Sequence, residues 1–268
     1  MTAGRTAMKR YDEIHSANKD YWTKRARTYS LDVNKGELHT AVCGLWLETI
    51  EQHVLTHFAG KSPRDLRVLD IGTGPGFFAV ILAKAGYRVT AIDLTPAMLA
   101  EAKKNAGALA PAIDFREMNA EVLDFSAETF DVVISRNLTW DLPRPDVAYR
   151  EWHRVLRKNG MLLNFDANWY RYLYDDAAKA AYDIDRVNAA SIGIYYNQNP
   201  DVNYDVAEAI AEKVPLSREM RPEWDIRCLS EIGFTVSADC DIWKALWSEE
   251  EKVNYASTPM FLIKAIRI

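Results

Sequence analysis

A carboxylate followed by three evenly spaced glycines is the pattern in this sequence with the clearest chemical meaning. Asp70 ends an apolar segment, glycines stand at positions 72, 74 and 76, and an apolar segment of helical period follows at once. This order predicts a strand, a tight turn and a helix, in which glycine lets a ligand lie against bare backbone. A second carboxylate, Asp93, ends the next apolar segment, and its oxygens suit a pair of hydroxyl groups such as those of a ribose.

The elements that must position these residues alternate between strands and helices. Strands are predicted at residues 67–70, 88–93, 113–117, 130–135 and 161–166, and helices at 77–85, from Thr95 onward and at 146–156. Helical periodicity also covers residues 9–58, and strand-like segments return at 234–238 and 260–268. Alternation of this kind implies an α/β fold with a parallel sheet and helices on both of its faces.

The glycine spacing separates two kinds of cofactor site. A dinucleotide fingerprint needs a glycine at position 77, which is Phe77, and the sequence has no Tyr-x-x-x-Lys pair. These features disfavour a nicotinamide oxidoreductase. Asp-x-Gly-x-Gly-x-Gly with an acidic end to the second strand resembles the motif of class I S-adenosylmethionine (SAM)-dependent methyltransferases. Residues 131–137 resemble that family's fourth strand, and residues 151–160 resemble its helix ending in Arg-Val-Leu-Lys-Pro-Gly-Gly, with Asn-Gly at the end.

The resemblance implies a doubly wound, mostly parallel, seven-stranded Rossmann-like sheet that is closed by an antiparallel hairpin near the C-terminus. We expect four parts along the chain. They are an N-terminal helical cap at 1–61, a SAM-binding core at 62–166, an acceptor-binding lid inserted after strand five at 167–227, and the C-terminal part of the core sheet at 228–268.

The resemblance also assigns contacts with SAM to the glycine turn, to the ends of strands two and four, and to the N-terminal helix. The residues concerned are Tyr21, Arg25, Tyr29, Asp70, Gly72, Thr73, Gly74, Gly76, Asp93, Leu94, Met98, Asn119, Ala120, Glu121, Arg136 and Asn137. Asn119 stands where the family often has an acid that accepts the adenine amino group, a bond that an amide carbonyl can also accept.

The segment from Tyr21 to Tyr29 resembles a helix that many small-molecule methyltransferases fold over the cofactor. A tyrosine there can close the site, and Arg25 can pair with the methionine carboxylate. An amphipathic helix that simply packs on the sheet is the open alternative.

Methyl transfer from a sulfonium is an in-line displacement, so the protein must chiefly align the reactants and exclude water. A general base is needed only when the acceptor is protonated. The candidate catalytic residues are Tyr21, Asn137, Asp166, Tyr195 and Tyr196. Other side chains expected to project toward the acceptor follow strands four and five, namely Trp140, Asp141, Asn168, Trp169 and Tyr170.

The predicted lid is both acidic and rich in tyrosine. Between Asp166 and Glu212 there are nine acidic and three basic residues, and seven of the 13 tyrosines of the chain fall within 35 residues. Aromatic faces beside carboxylates suit a cationic or amine acceptor. A helical lid whose tyrosines pack against the core is the alternative interpretation.

Composition narrows the function classes. The net charge of −5 and the acidic lid disfavour nucleic acid as a partner, and no apolar segment approaches the length of a membrane span. Three separated cysteines and the absence of an apolar leader favour a cytoplasmic protein, and no metal site is predicted. We therefore expect a SAM-dependent methyltransferase that acts on N, O or S of a small molecule. A protein acceptor and a non-catalytic SAM-binding module are the alternatives, and the oligomeric state is left open.

Overall fold

The computed structural model describes residues 2–33, 37–194 and 204–268. Its helices are α1 (Thr2–Val33), α2 (Ala41–His57), α3 (Phe77–Lys84), α4 (Pro96–Ala106), α5 (Pro145–Val155), α6 (Asp176–Ser191), α7 (Tyr204–Ala211), α8 (Glu223–Ile232), α9 (Trp243–Leu246) and α10 (Glu249–Asn254). Its strands are β1 (Arg67–Ile71), β2 (Arg88–Asp93), β3 (Asp114–Glu117), β4 (Phe130–Arg136), β5 (Leu156–Asp166), β6 (Phe234–Asp239) and β7 (Phe261–Arg267). Among the described helices, none is both long enough and apolar enough to cross a membrane.

The strands form one seven-stranded sheet in the order β3-β2-β1-β4-β5-β7-β6. The pairs from β3 to β5 are parallel, and β7 lies antiparallel between β5 and β6. The predicted Rossmann-like sheet with its closing hairpin is therefore confirmed. The chain adds β2 and β3 on one side of β1 and then returns to add β4 on the other side. The strand order therefore reverses between β1 and β4, and in doubly wound folds ligands bind at this point.

The central strands bury both of their faces because helices cover the sheet on two sides. Val68 joins a core cluster with Trp46 of α2 and Phe78 of α3. The next residue, Leu69, points to the opposite face and joins a cluster with Trp152 of α5. This alternation follows from the two-residue period of a strand and explains the continuous apolar segments in the sequence.

Helix α1 lies across the ligand-binding edge of the sheet. Lys19 pairs with Glu117 at the end of β3, with 2.5 Å between Nζ and Oε1. Three residues further along the helix, Trp22 donates a hydrogen bond of 2.7 Å to Asp141, which follows β4. The two contacts place the middle of α1 over the carboxyl ends of the parallel strands.

The segment between β5 and β6 contains both a helical cover and a helix of the core. Helices α6 and α7 belong to the cover, whereas α8 buries Leu229 in the same cluster as Trp152. The predicted boundary between 227 and 228 falls inside α8. The division of the chain into four functional parts stays a prediction, but α8 belongs structurally to the sheet.

Strand β5 begins earlier than predicted. It is continuous with the end of α5 at Leu156, and its pairing with β4 shifts register between Phe130 and Val132. Asn159 has a φ of 60° within this irregular stretch. The Asn-Gly pair that predicted the end of the helix therefore forms an irregularity in the strand, because asparagine tolerates the left-handed conformation.

Candidate active site

A cleft of about 770 Å³ opens at the carboxyl ends of β1, β2 and β4, beneath α1. Its lining combines the glycine turn with side chains from α1 and from the segments that follow β2, β3 and β4. The lining residues are His15, Asn18, Lys19, Trp22, Tyr29, Gly72, Gly74, Asp93, Leu94, Thr95, Met98, Met118, Asn119, Ala120, Arg136, Asn137, Leu138, Asp141 and Leu142.

The three glycines of the turn serve different purposes. A Cβ at Gly74 would meet no atom closer than 3.9 Å, that atom belonging to Tyr29, so the space over this residue is open to a ligand. At Gly72 a Cβ would come within 2.8 Å of Leu138. Gly76 caps α3, and a Cβ there would lie 2.9 Å from the Cβ of Ala102. Gly76 therefore permits close packing of α3 against α4 and does not line the cleft, although the sequence predicted a cofactor contact.

Asp93 holds the turn in place from the end of β2. Its Oδ2 accepts a hydrogen bond of 2.9 Å from the Gly74 N–H, and its Oδ1 accepts one of 2.8 Å from the Thr95 N–H. Burial raises the pKa of Asp93 to about 6. Each carboxylate oxygen keeps a further lone pair, so hydroxyl donors of a ligand in the cleft can still bind it.

A smaller cavity of about 370 Å³ adjoins the glycine turn and is lined by Asp70, Thr73 and Arg136 among others. The Thr73 hydroxyl donates to Asp70 at 2.6 Å, and burial raises the pKa of Asp70 to about 7. The guanidinium of Arg136 forms two hydrogen bonds with Glu37, of 3.0 and 2.5 Å. The Arg136 guanidinium is therefore held in one position beside the turn, where Glu37 already pairs with its two terminal nitrogens.

The predicted adenine side divides between residues that line the cleft and one that does not. Leu94, Met98, Asn119 and Ala120 line the cleft, and their contact with SAM stays a prediction. Glu121 does not. It is buried and accepts a hydrogen bond of 2.8 Å from the Arg144 side chain. The side-chain carbonyl of Asn119 already accepts the Glu121 N–H at 2.8 Å, so one of its two lone pairs is used within the protein.

Three buried oxygen atoms that lack a hydrogen-bond partner among the described residues belong to side chains of this cleft. They are the Oδ1 atoms of Asn18, Asn137 and Asp141. Burial raises the pKa of Asp141 to about 7, although Trp22 donates to its other oxygen. Asn137 also has a left-handed φ of 53°. Because buried polar atoms are normally paired, unpaired ones together with local strain indicate a ligand site.

A third space, a cavity of about 870 Å³, lies beside the cleft, and its lining is mostly aromatic. The lining residues are Tyr21, Trp22, Arg25, Tyr29, Asn137, Trp140, Trp169, Tyr170, Tyr172, Tyr182, Arg186, Tyr204, Tyr255 and Thr258. Trp22, Tyr29 and Asn137 line both spaces, so the two cavities meet at these residues. We refer to this 870 Å³ space as the aromatic cavity.

The predicted residues of α1 separate between these spaces. Tyr29 borders the cleft, the smaller cavity and the aromatic cavity. Tyr21 and Arg25, which the sequence assigned to the cofactor, line only the aromatic cavity. They are therefore separated from the cleft, whereas Trp22 and Tyr29 of the same helix border both spaces.

Asp166 was predicted as a catalytic candidate, and the structure does not place it in either cavity. It is fully buried and pairs with Arg221, with 2.8 Å between Oδ2 and Nη1. Its oxygens also accept hydrogen bonds from the Trp140 backbone and from the Trp169 indole, at 3.0 and 3.1 Å. Asp166 therefore positions two aromatic residues of the aromatic cavity and is unavailable to an acceptor.

Among the described carboxylates of the predicted lid, none lines the aromatic cavity, contrary to expectation. Asp175 caps α6, Asp185 accepts the Ser257 N–H at 2.7 Å, and Glu208 accepts the Tyr172 hydroxyl at 2.6 Å. Among the described residues that line the cavity, none is acidic. Tyr195 and Tyr196, the other catalytic candidates, lie outside the described residues.

Sequence reasoning missed part of the site. His15, Asn18 and Lys19 of α1 line the cleft, and Arg186 and Tyr255 line the aromatic cavity. The helical spacing from Asn18 to Trp22 and on to Tyr29 was a usable signal, since these positions share a helix face. Nothing in the local sequence marks Arg186 or Tyr255, because distant parts of the chain bring them to the cavity.

Comparison with known proteins gives a consistent result. Residues 69–164 match the family model described as a methyltransferase domain. Phosphatidylethanolamine N-methyltransferase of Cereibacter sphaeroides is 38% identical over 104 residues, which cover 38% of this chain and 51% of that protein. The ubiquinone/menaquinone biosynthesis C-methyltransferase UbiE of Bartonella tribocorum is 35% identical over 119 residues, covering 41% of this chain and 46% of UbiE. The chain thus spans about half the length of these curated relatives or less.

One solved structure extends the comparison beyond the matched segment. Phosphoethanolamine N-methyltransferase 2 of Haemonchus contortus, in complex with SAM, has a TM-score of 0.53 at 15% identity. The alignment covers 82% of this chain and 52% of the Haemonchus chain. At this identity the likeness is one of fold.

Proposed function

We propose that this chain, which contains a methyltransferase domain of the class I SAM-dependent family, transfers the methyl group of SAM to a small-molecule acceptor. The observation that carries the proposal is the meeting of two cavities. The cleft over Gly74 adjoins the aromatic cavity, and Trp22, Tyr29 and Asn137 stand between them. A cofactor site and an acceptor site must share such a boundary, because the methyl group passes directly from one molecule to the other.

The residues of the cleft fit the chemical groups of SAM. Asp93 keeps acceptor capacity for ribose hydroxyls, and the Arg136 Nε–H, which has no partner among the described residues, can donate to the methionine carboxylate. The bare backbone at Gly74 leaves room for a ligand. The unpaired oxygens of Asn137 and Asp141 offer sites for polar or positively charged groups. When bound, SAM supplies an electrophilic methyl carbon on a positively charged sulfur.

The surrounding side chains orient the reactants and exclude water. Trp22 and Tyr29 cover the junction from α1, with ring centroids 5.6 Å apart. Asn137 is fixed by its own backbone N–H, which donates to the Phe165 carbonyl at 2.8 Å. These residues hold an acceptor in line with the cofactor. The proposed chemistry requires no further covalent participation by the protein.

The acceptor atom is proposed as nitrogen, oxygen or sulfur. The names of the two curated relatives refer to N-methylation and C-methylation respectively, so they do not select one atom. A protein acceptor and a non-catalytic SAM-binding role stay as alternatives. A cytoplasmic location also stays a prediction.

Thermal unfolding with SAM, S-adenosylhomocysteine (SAH), NAD and NADP tests the cofactor. We expect SAM and SAH to raise Tm and the nicotinamide cofactors to leave it unchanged. At a ligand concentration about 100 times Kd, the stabilisation is about 2.7 kcal/mol. Absence of a shift with millimolar SAM in folded protein would contradict the assignment.

Transfer of a labelled methyl group from SAM to a panel of small acceptors separates an enzyme from a SAM-binding module. The panel should contain amines, phenols, thiols and aromatic acids. The same assay with a protein extract tests the protein-acceptor alternative. Labelling of macromolecules, with no labelling of any small molecule, would favour that alternative.

A further inference from the structure

The aromatic cavity carries two guanidinium groups and, among its described lining residues, no carboxylate. Resting on the function proposed above, we infer that the acceptor is a flat aromatic compound that bears an anionic group such as a carboxylate. The inferred charge of the acceptor is opposite to the positive charge that the acidic composition of residues 166–212 predicted.

The lining provides an aromatic surface for a planar ring. Ten of the 14 lining residues are tyrosine or tryptophan. Tyr172 and Tyr182 stack on each other with ring centroids 4.1 Å apart and planes at 15°, so this pair forms a fixed wall whose facing surfaces are closed to a ligand, and the ring centroids of Trp140 and Tyr170 are 4.9 Å apart. Such walls bind planar apolar molecules by burial and by offset or edge-to-face ring contacts. A ring is therefore the part of the acceptor that most of the cavity surface accommodates.

Arg25 supplies a cation that the protein leaves incompletely paired. Its Nε is buried and has no hydrogen-bond partner among the described residues, and its Nη1 donates to the Thr28 hydroxyl at 3.1 Å. The ion pairs of the described residues do not include Arg25. Its guanidinium therefore has no described carboxylate within ion-pair distance. A planar guanidinium beside an aromatic space matches a carboxylate that enters with its ring.

Arg186 brings a second positive charge from α6. It donates to the Asn254 carbonyl, and its guanidinium lies 4.9 Å from the centroid of the Tyr182 ring. The guanidinium of Arg25 lies 5.7 Å from the centroid of Tyr29. Two of the ring faces that could attract a cationic ligand are thus already occupied by protein cations, which would repel it.

The tyrosine hydroxyls add donors and no negative charge. Burial raises the pKa of Tyr21, and it raises the pKa of Tyr170 well above its ordinary value, so both keep their protons at neutral pH. Protonated phenols can donate hydrogen bonds to an anion. Charge, hydrogen-bond donors and ring faces therefore favour the same class of acceptor.

Three ring-matched probes test the inference by calorimetry in the presence of SAH, which cannot transfer a methyl group. They are 6-hydroxy-2-naphthoate, the corresponding neutral amide, and the corresponding aminomethyl cation. We expect the naphthoate to bind at least about tenfold more tightly than the amide, and the amine to bind most weakly. Equal binding of the three probes, or preference for the amine, would overturn the inference.

Two variants locate the anion. Arg25→Gln and Arg186→Gln should each remove most of the preference for naphthoate over amide and leave amide binding and SAH affinity unchanged. The matched control is Arg27→Gln, because Arg27 is exposed on the same helix. A preference that survives both substitutions would contradict the assignment to these residues.

The failure of the proposed function would give a different result. If SAH does not bind the wild-type protein, the methyltransferase proposal fails. The three probes are then titrated without SAH, and the order of their affinities still tests the charge of the cavity.

Discussion

At the scale of single residues, the cleft and the smaller cavity contain three carboxyl groups whose pKa values are raised. Burial is the main cause for each, giving about 7 for Asp70, about 6 for Asp93 and about 7 for Asp141. Each costs folding free energy when ionised, and such groups concentrate at functional sites. Two of them, Asp93 and Asp141, face the cleft directly and are the points at which substitution should separate function from stability.

Asp93→Ala should weaken SAM binding by about 1.5–3 kcal/mol, the scale of hydrogen bonds to a charged group. The loss arises because the ribose hydroxyls would lose their acceptor and the turn would lose its bond to the Gly74 N–H. Isothermal titration with SAM measures the effect. Asp114→Ala is the control, since Asp114 is exposed at the start of β3, away from the cleft. Wild-type affinity in Asp93→Ala would move the ribose contact to another residue.

Asp141→Asn should stabilise the free protein at alkaline pH. The folded-state pKa of Asp141 is about 7 and its ordinary value is 3.8, so the folded chain binds a proton more tightly than the unfolded chain. The contribution of Asp141 to the free energy of unfolding therefore falls as pH rises from about 4 to about 7. Above that range the folded state bears the full free-energy cost of burying an ionised carboxylate. Asparagine has no such cost, so the variant should gain on the order of 2–4 kcal/mol at pH 8.

Unfolding of both proteins in urea at pH 8 and at pH 5 measures this difference. The gain should shrink at pH 5, where the wild-type carboxyl in the folded state is protonated. A gain of equal size at both pH values would show that the ionisation of Asp141 is not its cause.

At the scale of elements, sequence could specify what is local and could not specify what long-range packing decides. The turn from β1 to α3 was predictable because its glycines and the two carboxylates are set by short spacing. The face of α1 that carries Arg25 was not, because rotation of a helix depends on what it packs against. The partners of the lid carboxylates were equally hidden, since Asp185 bonds to Ser257 72 residues away.

The buried ion pair of Asp166 and Arg221 links the end of β5 to the residues just before α8. Arg221 also donates to Asp225 within α8 and to the Thr139 hydroxyl after β4. Removing one member of a buried pair leaves an uncompensated charge and typically costs about 3–5 kcal/mol. Arg221→Ala should therefore lower Tm strongly.

Asp166→Asn tests the structural role against the catalytic role that the sequence suggested. It should lower Tm, yet the folded fraction should bind SAH with wild-type affinity and methylate its acceptor at a normal rate per folded molecule. If this variant kept its Tm and lost methyl transfer, Asp166 would be catalytic and the structural assignment would be wrong.

At the scale of the whole molecule, the sheet, α1 and the helical cover assemble two adjoining spaces of different chemistry. The edge of the sheet gives a cleft with carboxylates and bare backbone, and the cover gives an aromatic space with positive charge. Tyr29, which borders all three cavities, lies where the parts of the site converge. We propose that the glycine turn is bare at Gly74 because SAM lies against it, and the rest of the site depends on this contact.

Calorimetric titration of SAM into two valine variants tests that claim most directly. Gly74 and Gly107 have nearly the same positive φ, 53° and 52°, so valine strains the backbone at both. A Cβ at Gly107 would meet no atom within 4 Å, and Gly107 lies at the end of α4, outside the cleft. We predict that Gly107→Val lowers Tm and still binds SAM as the wild type does, whereas Gly74→Val loses measurable SAM binding while folded. Equal SAM affinity in the two variants would contradict the account.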